Sequence, residues 1–375
     1  MRILYDGELY GWQATGGVNR YFANVISGLP RDFEPALLVA RERAGRHPSH
    51  PNLKVYEFGR RSPVLERLSP RLGRRHADAR DRRLWGAVGR ARFDVFHPTY
   101  YTLMGGRGVG SYGAPAVVTV WDMIHELFPE EMDPSGEHAA LKRAAVLAAG
   151  RVVCISENTK KDLLERFPTI PESRVSVTHL ASDLSAALSH GPEPVPARPY
   201  YLYVGARQER YKNFGGLLSA FARAAGARKE LALCVVGRPF TDGEQRLVAD
   251  LGLAGRVEHY GPAADSHLAK LYRHSLALVY PSLYEGFGIP PLEAMSCGTV
   301  AVVSNASSLP EVVGDAGLLF DPRALDELTD ILLSLTEDDA LRRRLIEKGG
   351  QRAREFSWAR TVAQTVEVYR SLAGR

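Results

Sequence analysis

At 375 residues, with 45% hydrophobic and 24% charged side chains, the chain is too long for one ordinary core and too apolar for a disordered protein, which points to two globular domains. The net charge of +5 comes mostly from arginine, and no apolar run approaches the ~20 residues that would span a bilayer. Three widely spaced cysteines, Cys154, Cys234 and Cys297, argue against a disulfide framework or a zinc cluster and for a reducing, cytoplasmic setting.

The first residues reach Asp6 too soon for a signal peptide and read as a strand. A loop with Gly7 and Gly11 follows, and Gly16-Gly17 open a helix with apolar positions at helical spacing through Ile26. Strand-like runs recur at residues 36–40, 55–58, 95–97, 116–120 and 152–155, with helices expected over 138–149 and 157–167. This is the pattern of a doubly wound α/β domain, whose ligands bind beyond the carboxyl ends of the strands. Between residues 60 and 92 arginines crowd together, and such a run suits an anionic membrane face or an acidic acceptor. Nucleic acid is not expected, because no recognised binding module accompanies the charge.

Residues 189–199 hold four prolines, which fit neither a helix nor a central strand, so they read as a linker. A second strand–helix series then starts at Tyr200-Tyr-Leu-Tyr-Val-Gly205 and continues through runs at 231–236, 257–260, 276–280, 299–303 and 317–320. The last helix is expected over 357–373. Within this half, Tyr203-Val-Gly-Ala-Arg-Gln-Glu-Arg-Tyr-Lys-Asn213 places a basic loop after a strand, with Asn213 as a helix N-cap. Arg207 and Lys212 suit a diphosphate, arginine as a planar fork and lysine as a point charge.

The most specific stretch runs from Leu276 to Gly298. An apolar strand leads into Glu285-Gly-Phe-Gly-Ile-Pro-Pro-Leu-Glu293, in which Pro290-Pro291 mark a helix start and Gly298 a stop. The amides of Gly286, Phe287, Gly288 and Ile289 can approach a ligand closely, and Glu285 and Glu293 can accept hydrogen bonds from sugar or ribose hydroxyls. This string, with Ala294-Met-Ser-Cys-Gly298 and Ser308-Leu-Pro-Glu-Val-Val-Gly314, resembles the E-x7-E signature of retaining nucleotide-sugar glycosyltransferases, family four (group 1).

The resemblance implies the α/β GT-B fold: two doubly wound Rossmann-like domains facing each other across a cleft. It makes residues 1–190 the acceptor-side domain and 200–355 the nucleotide-sugar donor domain, with a helix over 356–375 crossing back to the first. By the same resemblance Glu285 contacts the donor sugar near its anomeric carbon, and Glu293 the ribose. Lys212 and Arg207 neutralise the diphosphate, with Gly16 and Gly17 closing over it, and His125 is the functional histidine near the sugar. Asp122, His97 and Tyr100, at strand ends of the first half, are expected on the acceptor side. Many relatives carry arginine directly after the glycine where this chain has Ala206, and His-Asp where it has Trp121-Asp122.

No D-x-D pair at a strand end, no H-E-x-x-H and no Cys/His cluster is present, so no metal and no cofactor beyond the sugar nucleotide are expected. The expected reaction is transfer of a hexose from GDP-mannose, ahead of a UDP-hexose, to a glycan, a lipid-linked saccharide or a small natural product. Peripheral contact with an anionic membrane through the segment between Arg60 and Arg92 is a further expectation. A sugar-nucleotide 2-epimerase and a non-catalytic sugar-nucleotide-binding module are the alternatives.

Overall fold

The computed structural model describes residues 1–12, 16–40, 48–59 and 69–374. It divides into two compact units, one of residues 1–155, 160–178 and 358–375, the other of residues 156–159 and 179–357.

In the first unit the strands are β1 (Arg2–Asp6), β2 (Glu34–Ala40), β3 (Lys54–Phe58), β4 (Val95–Pro98), β5 (Val117–Val120), β6 (Arg151–Cys154) and β7 (Val175–Val177). They lie parallel in the orders β3-β2-β1-β4 and β5-β6-β7, and a bridge from Phe96 to Ala116 joins the two sets. β4 and β5 are buried at every residue, which is why they are short apolar runs rather than alternating ones. β7 is not among the expected strands; with three residues and only Val175 fully buried, it carries too little pattern to read.

The second unit holds β8 (Tyr200–Val204), β9 (Ala232–Val236), β10 (Val257–Tyr260), β11 (Ala277–Tyr280), β12 (Val300–Ser304) and β13 (Leu318–Phe320), parallel in the order β10-β9-β8-β11-β12-β13. The strand order reverses between β8 and β11, the place where doubly wound sheets open a crevice for ligands. Its core packs Leu217, Phe221 and Ala224 of the Phe214–Ala227 helix with strand residues such as Leu233 and Val279.

The Trp358–Ala373 helix belongs to the first unit. There it lies against the Gly17–Ser27 helix, where a Cβ on Gly28 would stand 2.8 Å from Val362 Cγ2, so the approach requires glycine. Tyr369 reaches the centre of the sheet, its hydroxyl 2.6 Å from His97 Nδ1 and 3.1 Å from Tyr5 Oη.

Of the arginine-rich segment, residues 60–68 lie outside the described residues, and the Pro70–Arg90 helix carries most of the rest. Trp85 docks it on Phe58 at 4.3 Å between ring centroids, and Arg82, Arg83 and Arg90 are exposed. Among the described residues no helix is long and apolar enough to cross a membrane.

Candidate active site

Two loops leave the carboxyl ends of the neighbouring strands β8 and β11. The first turns at Gly205 and closes through a short turn, Arg210–Lys212, into Asn213. Asn213 adopts φ 54, a left-handed conformation that asparagine tolerates better than most side chains. It does not cap the helix with its side chain, as the sequence suggests. Its Nδ2 instead donates to the carbonyls of Pro281 (3.3 Å) and Pro322 (2.9 Å), tying the loop to the ends of β11 and β13. Leu283 N donates to Tyr211 O at 2.7 Å, so the two loops are also joined through the backbone.

That stitching brings Lys212 Nζ to 2.7 Å from Glu285 Oε1. Both side chains are nearly buried, with 13% and 11% of their surface exposed. Burial works to lower the Lys212 proton affinity, but Tyr280, Glu285 and Tyr211 more than offset it and hold the ammonium above its ordinary range. The Tyr211 and Tyr280 rings stand 4.9 and 5.9 Å from Nζ.

The Glu285 loop is held by its carbonyls. Ser308 Oγ donates to Glu285 O and Phe287 O, each at 2.8 Å, and Glu285 N donates to Ser307 Oγ at 2.8 Å. Ser156 and Thr159 hydroxyls donate to Gly286 O at 2.7 and 3.1 Å. Gly288 has φ 106 and heads the Ile289–Cys297 helix; a Cβ there would sit 2.7 Å from Leu309 Cδ2. Phe287 turns its ring inward against His179 and Phe356. On the following helix Glu293 is buried and its Oε2 accepts from Tyr272 Oη at 3.0 Å, while burial and Glu293 push the Tyr272 phenol well up. The sequence gives no sign of Tyr272, which comes from the preceding helix, Asp265–His274.

Arg207 is also buried, and much of its fork is committed within the protein. Nε donates to Glu244 at 2.8 Å and Nη2 to Arg238 O at 2.6 Å, and the guanidinium lies 4.8 Å from the Phe240 ring centroid. Nη1 is buried without a hydrogen-bond partner. The basic loop is thus packed rather than solvated, and Nη1 is the Arg207 group without a protein acceptor. Chemically, the unit offers an ammonium and a guanidinium edge suited to a diphosphate, beside carboxylates suited to hydroxyls.

In the first unit, Tyr100, Asp122 and His125 line one cavity of about 200 Å³ together with Leu9, Val18, Tyr101 and Trp121. Asp122 Oδ1 accepts from Ile124 N at 3.0 Å, and His125 stacks on His138 at 5.0 Å. Burial first, then Lys142, lowers the His125 proton affinity. Gly16 and Gly17 are exposed at the start of the Gly17–Ser27 helix, where first-turn amides lack helical acceptors.

His97 does not belong with these residues, contrary to the sequence expectation. It is fully buried, with Nδ1 on Tyr369 and Nε2 on Thr119 Oγ1 at 2.8 Å, so neither ring nitrogen is left for a ligand. Burial drives its pKa down to about 3, so it stays neutral. Among the described residues no three His, Cys, Asp or Glu side chains converge as a metal ion would require.

Residues 189–352 match the family described as glycosyl transferases group 1, and residues 15–186 match glycosyltransferase family 4. An O-antigen chain mannosyltransferase B from Escherichia coli is 34% identical over 236 residues, 60% of this chain and 61% of that protein. An MMP alpha-(1->4)-mannosyltransferase from Mycolicibacterium hassiacum is also 34% identical, with 54% of its length matched, so the chain spans less than two thirds of either mannosyltransferase. An alpha-maltose-1-phosphate synthase from Mycolicibacterium smegmatis is 30% identical over 74% of this chain and 79% of its own length. Among solved structures, sucrose-phosphate synthase from Thermosynechococcus elongatus superposes with a TM-score of 0.74 at 19% identity, covering 100% of this chain and 99% of its own. Anabaena HepE, solved with UDP and glucose, superposes with a TM-score of 0.71 at 18% identity, covering 99% and 100%.

Proposed function

The chain belongs to the glycosyl transferases of group 1 and has their GT-B fold, and from that premise we propose that it is a retaining hexosyltransferase of family four. It moves a sugar, mannose by preference, from a nucleoside diphosphate to a hydroxyl of a glycan, a lipid-linked saccharide or a small molecule. The observation that carries the reading is the buried Lys212–Glu285 pair, made by the two loops at the reversal of strand order in the second unit.

A departing diphosphate gains negative charge as the glycosidic bond breaks. Lys212 and the Arg207 Nη1 edge stabilise that charge in a site too dry for water to compete, which is where preorganised donors act most strongly. Glu285 orients the sugar hydroxyls and Glu293 the ribose, with Tyr272 fixing the Glu293 carboxylate. The acceptor oxygen attacks the face from which the diphosphate leaves, so configuration at the anomeric carbon is kept. In the first unit, the cavity walled by Tyr100, Asp122 and His125 takes sugar hydroxyls. The preference for mannose is supported by mannosyltransferases among the relatives, two of them 34% identical over 60% of this chain, and the nucleotide donor by the UDP bound to HepE. The exposed arginines of the Pro70–Arg90 helix suit an anionic acceptor or membrane face.

The test is a thermal-shift panel of UDP, GDP, ADP and TDP, followed by a transfer assay with the nucleoside-diphosphate sugar that the panel selects. One nucleotide is expected to raise the melting temperature by mass action, and GDP-mannose to be consumed only when an acceptor is added. Lys212→Ala should then lower turnover ~100- to 1000-fold. No shift with any nucleotide, sugar epimerised without acceptor, an inverted product anomer, or normal turnover in Lys212→Ala would each overturn this assignment.

A further inference from the structure

The first unit contains a lysine for which the reading above has no use. Lys142, on the Glu137–Ala148 helix, is 1% exposed, and a lysine is rarely buried without strong compensation. Its Nζ donates to Asp122 O at 2.9 Å and to Glu126 Oε2 at 2.7 Å, and stands 3.9 Å from Asp122 Oδ1. These acceptors bracket His125 in the chain, so one ammonium fastens both ends of the loop that carries the imidazole. The same helix supplies His138, four residues earlier and hence on the same face, whose ring stacks on His125. Lys142 and His138 together fix the loop from behind, while His125 lines the 200 Å³ cavity with Nδ1 buried and without a hydrogen-bond partner. An imidazole that well supported, on the wall of a cavity, is held in place to meet a ligand there.

We propose that Lys142 is a positioning residue for the transfer reaction, holding His125 against the sugar-binding cavity through Asp122 and Glu126. The charge it brings has a second consequence. Lys142 and His138 repel a proton on His125, and burial opposes one further, whereas Asp122, Glu126 and Asp133 attract it; Tyr100, which lines the same cavity, is a neutral phenol at working pH. The outcome is a His125 proton affinity below that of free histidine, which leaves a neutral ring able to accept from one nitrogen and donate from the other.

The experiment uses the full chain and follows the His125 imidazole by NMR through a pH titration, assigned with His125→Gln. Lys142→Gln keeps a donor for Asp122 O and removes the charge; it is expected to raise the His125 midpoint by about one pH unit. Glu126→Gln should move it the other way, and Lys142→Arg should leave it near the native value. The Lys142→Gln/Glu126→Gln double variant replaces the ion pair by two amides that bond each other; it serves if the single variant does not fold, and should still shift upward because Lys142 outweighs Glu126. These titrations involve no substrate and stand apart from the transfer reading on which the kinetic arm rests. In that arm Lys142→Gln should lower kcat about 10- to 100-fold with little change in donor KM. An unmoved His125 midpoint in both Lys142→Gln and the double variant, or shifts of the same sign for Lys142→Gln and Glu126→Gln, would overturn the proposal. Shifts as expected with unchanged kcat would overturn the positioning role.

Discussion

The Lys212–Glu285 pair makes a quantitative prediction that needs no substrate. Lys212→Met removes the ammonium and keeps most of the stem, leaving a Glu285 carboxylate that is about nine-tenths buried without its cation. Breaking a buried pair from one side costs about 3–5 kcal/mol, and the slight exposure of both partners places this one near the lower figure. At ~2–4 °C per kcal/mol for a unit of this size, Lys212→Met should melt roughly 6–12 °C lower. Glu285→Gln strands the lysine and should cost a similar amount. The double variant, Lys212→Met/Glu285→Gln, removes both charges at once. It should cost about 4 kcal/mol rather than the roughly 6 kcal/mol of the two single costs added, a coupling energy of about 2 kcal/mol in a double-mutant cycle. The sign with pH also follows. Because the folded Lys212 value is raised, the pair's contribution is whole below the ordinary lysine value of 10.5 and is lost only as pH climbs through the folded value. Urea denaturation of the native, two single and double variants at pH 7 and pH 9 is the assay, and the coupling should be equal at the two. Single costs that add to the double cost within about 0.5 kcal/mol would refute the reasoning, since the charges would then not be acting on each other.

Asp6, at the carboxyl end of β1, is fully buried, and burial raises its pKa from 3.8 to about 6 despite hydrogen bonds from Tyr112 Oη and Met104 N. A raised acid favours the folded state only while protonated, so native stability should fall as pH climbs from 3.8 to about 6, by about 3 kcal/mol in all. Asp6→Asn should therefore gain on the native protein as pH rises from 4 to 7 in urea titrations, and a difference flat with pH would count against the account. Gly288→Ala meets two obstacles, a φ of 106 and a contact of 2.7 Å with Leu309. It should cost about 1–3 kcal/mol and weaken nucleotide binding by displacing the Glu285 loop, which calorimetry with the selected nucleotide would show; unchanged affinity would separate the loop from the site.

The strands and the Glu285 loop are legible in the sequence for one reason: the signals that specify them are local. Apolar runs such as residues 277–280 and 300–303 announce burial on both faces, and Pro290-Pro291 and Gly298 punctuate the helix between. The side chains whose surroundings come from afar are the ones whose setting the sequence does not show. Arg207 reads as a loop cation suited to a diphosphate, but nothing near it in the chain tells that Glu244, 37 residues on, takes its Nε and that the Phe240 ring encloses it.

His97 shows most clearly why such cases resist reading. At the end of a strand in a doubly wound sheet, a histidine is as well placed for a ligand as Asp122 or Tyr100, and nothing within ten residues distinguishes them. What decides its fate is Tyr369, 272 residues later, whose helix delivers a hydroxyl to the ring's Nδ1 while Thr119 on β5 takes Nε2. Asp122 and His125, one strand further along, meet Lys142 instead, 20 residues from Asp122, on a helix that supports the loop from behind and leaves the cavity side open. A strand-end residue is thus a candidate by topology alone, and becomes a ligand-facing group only where its protein partners lie on the side away from the crevice. That criterion favours Asp122, His125, Lys212 and Glu285 and rejects His97.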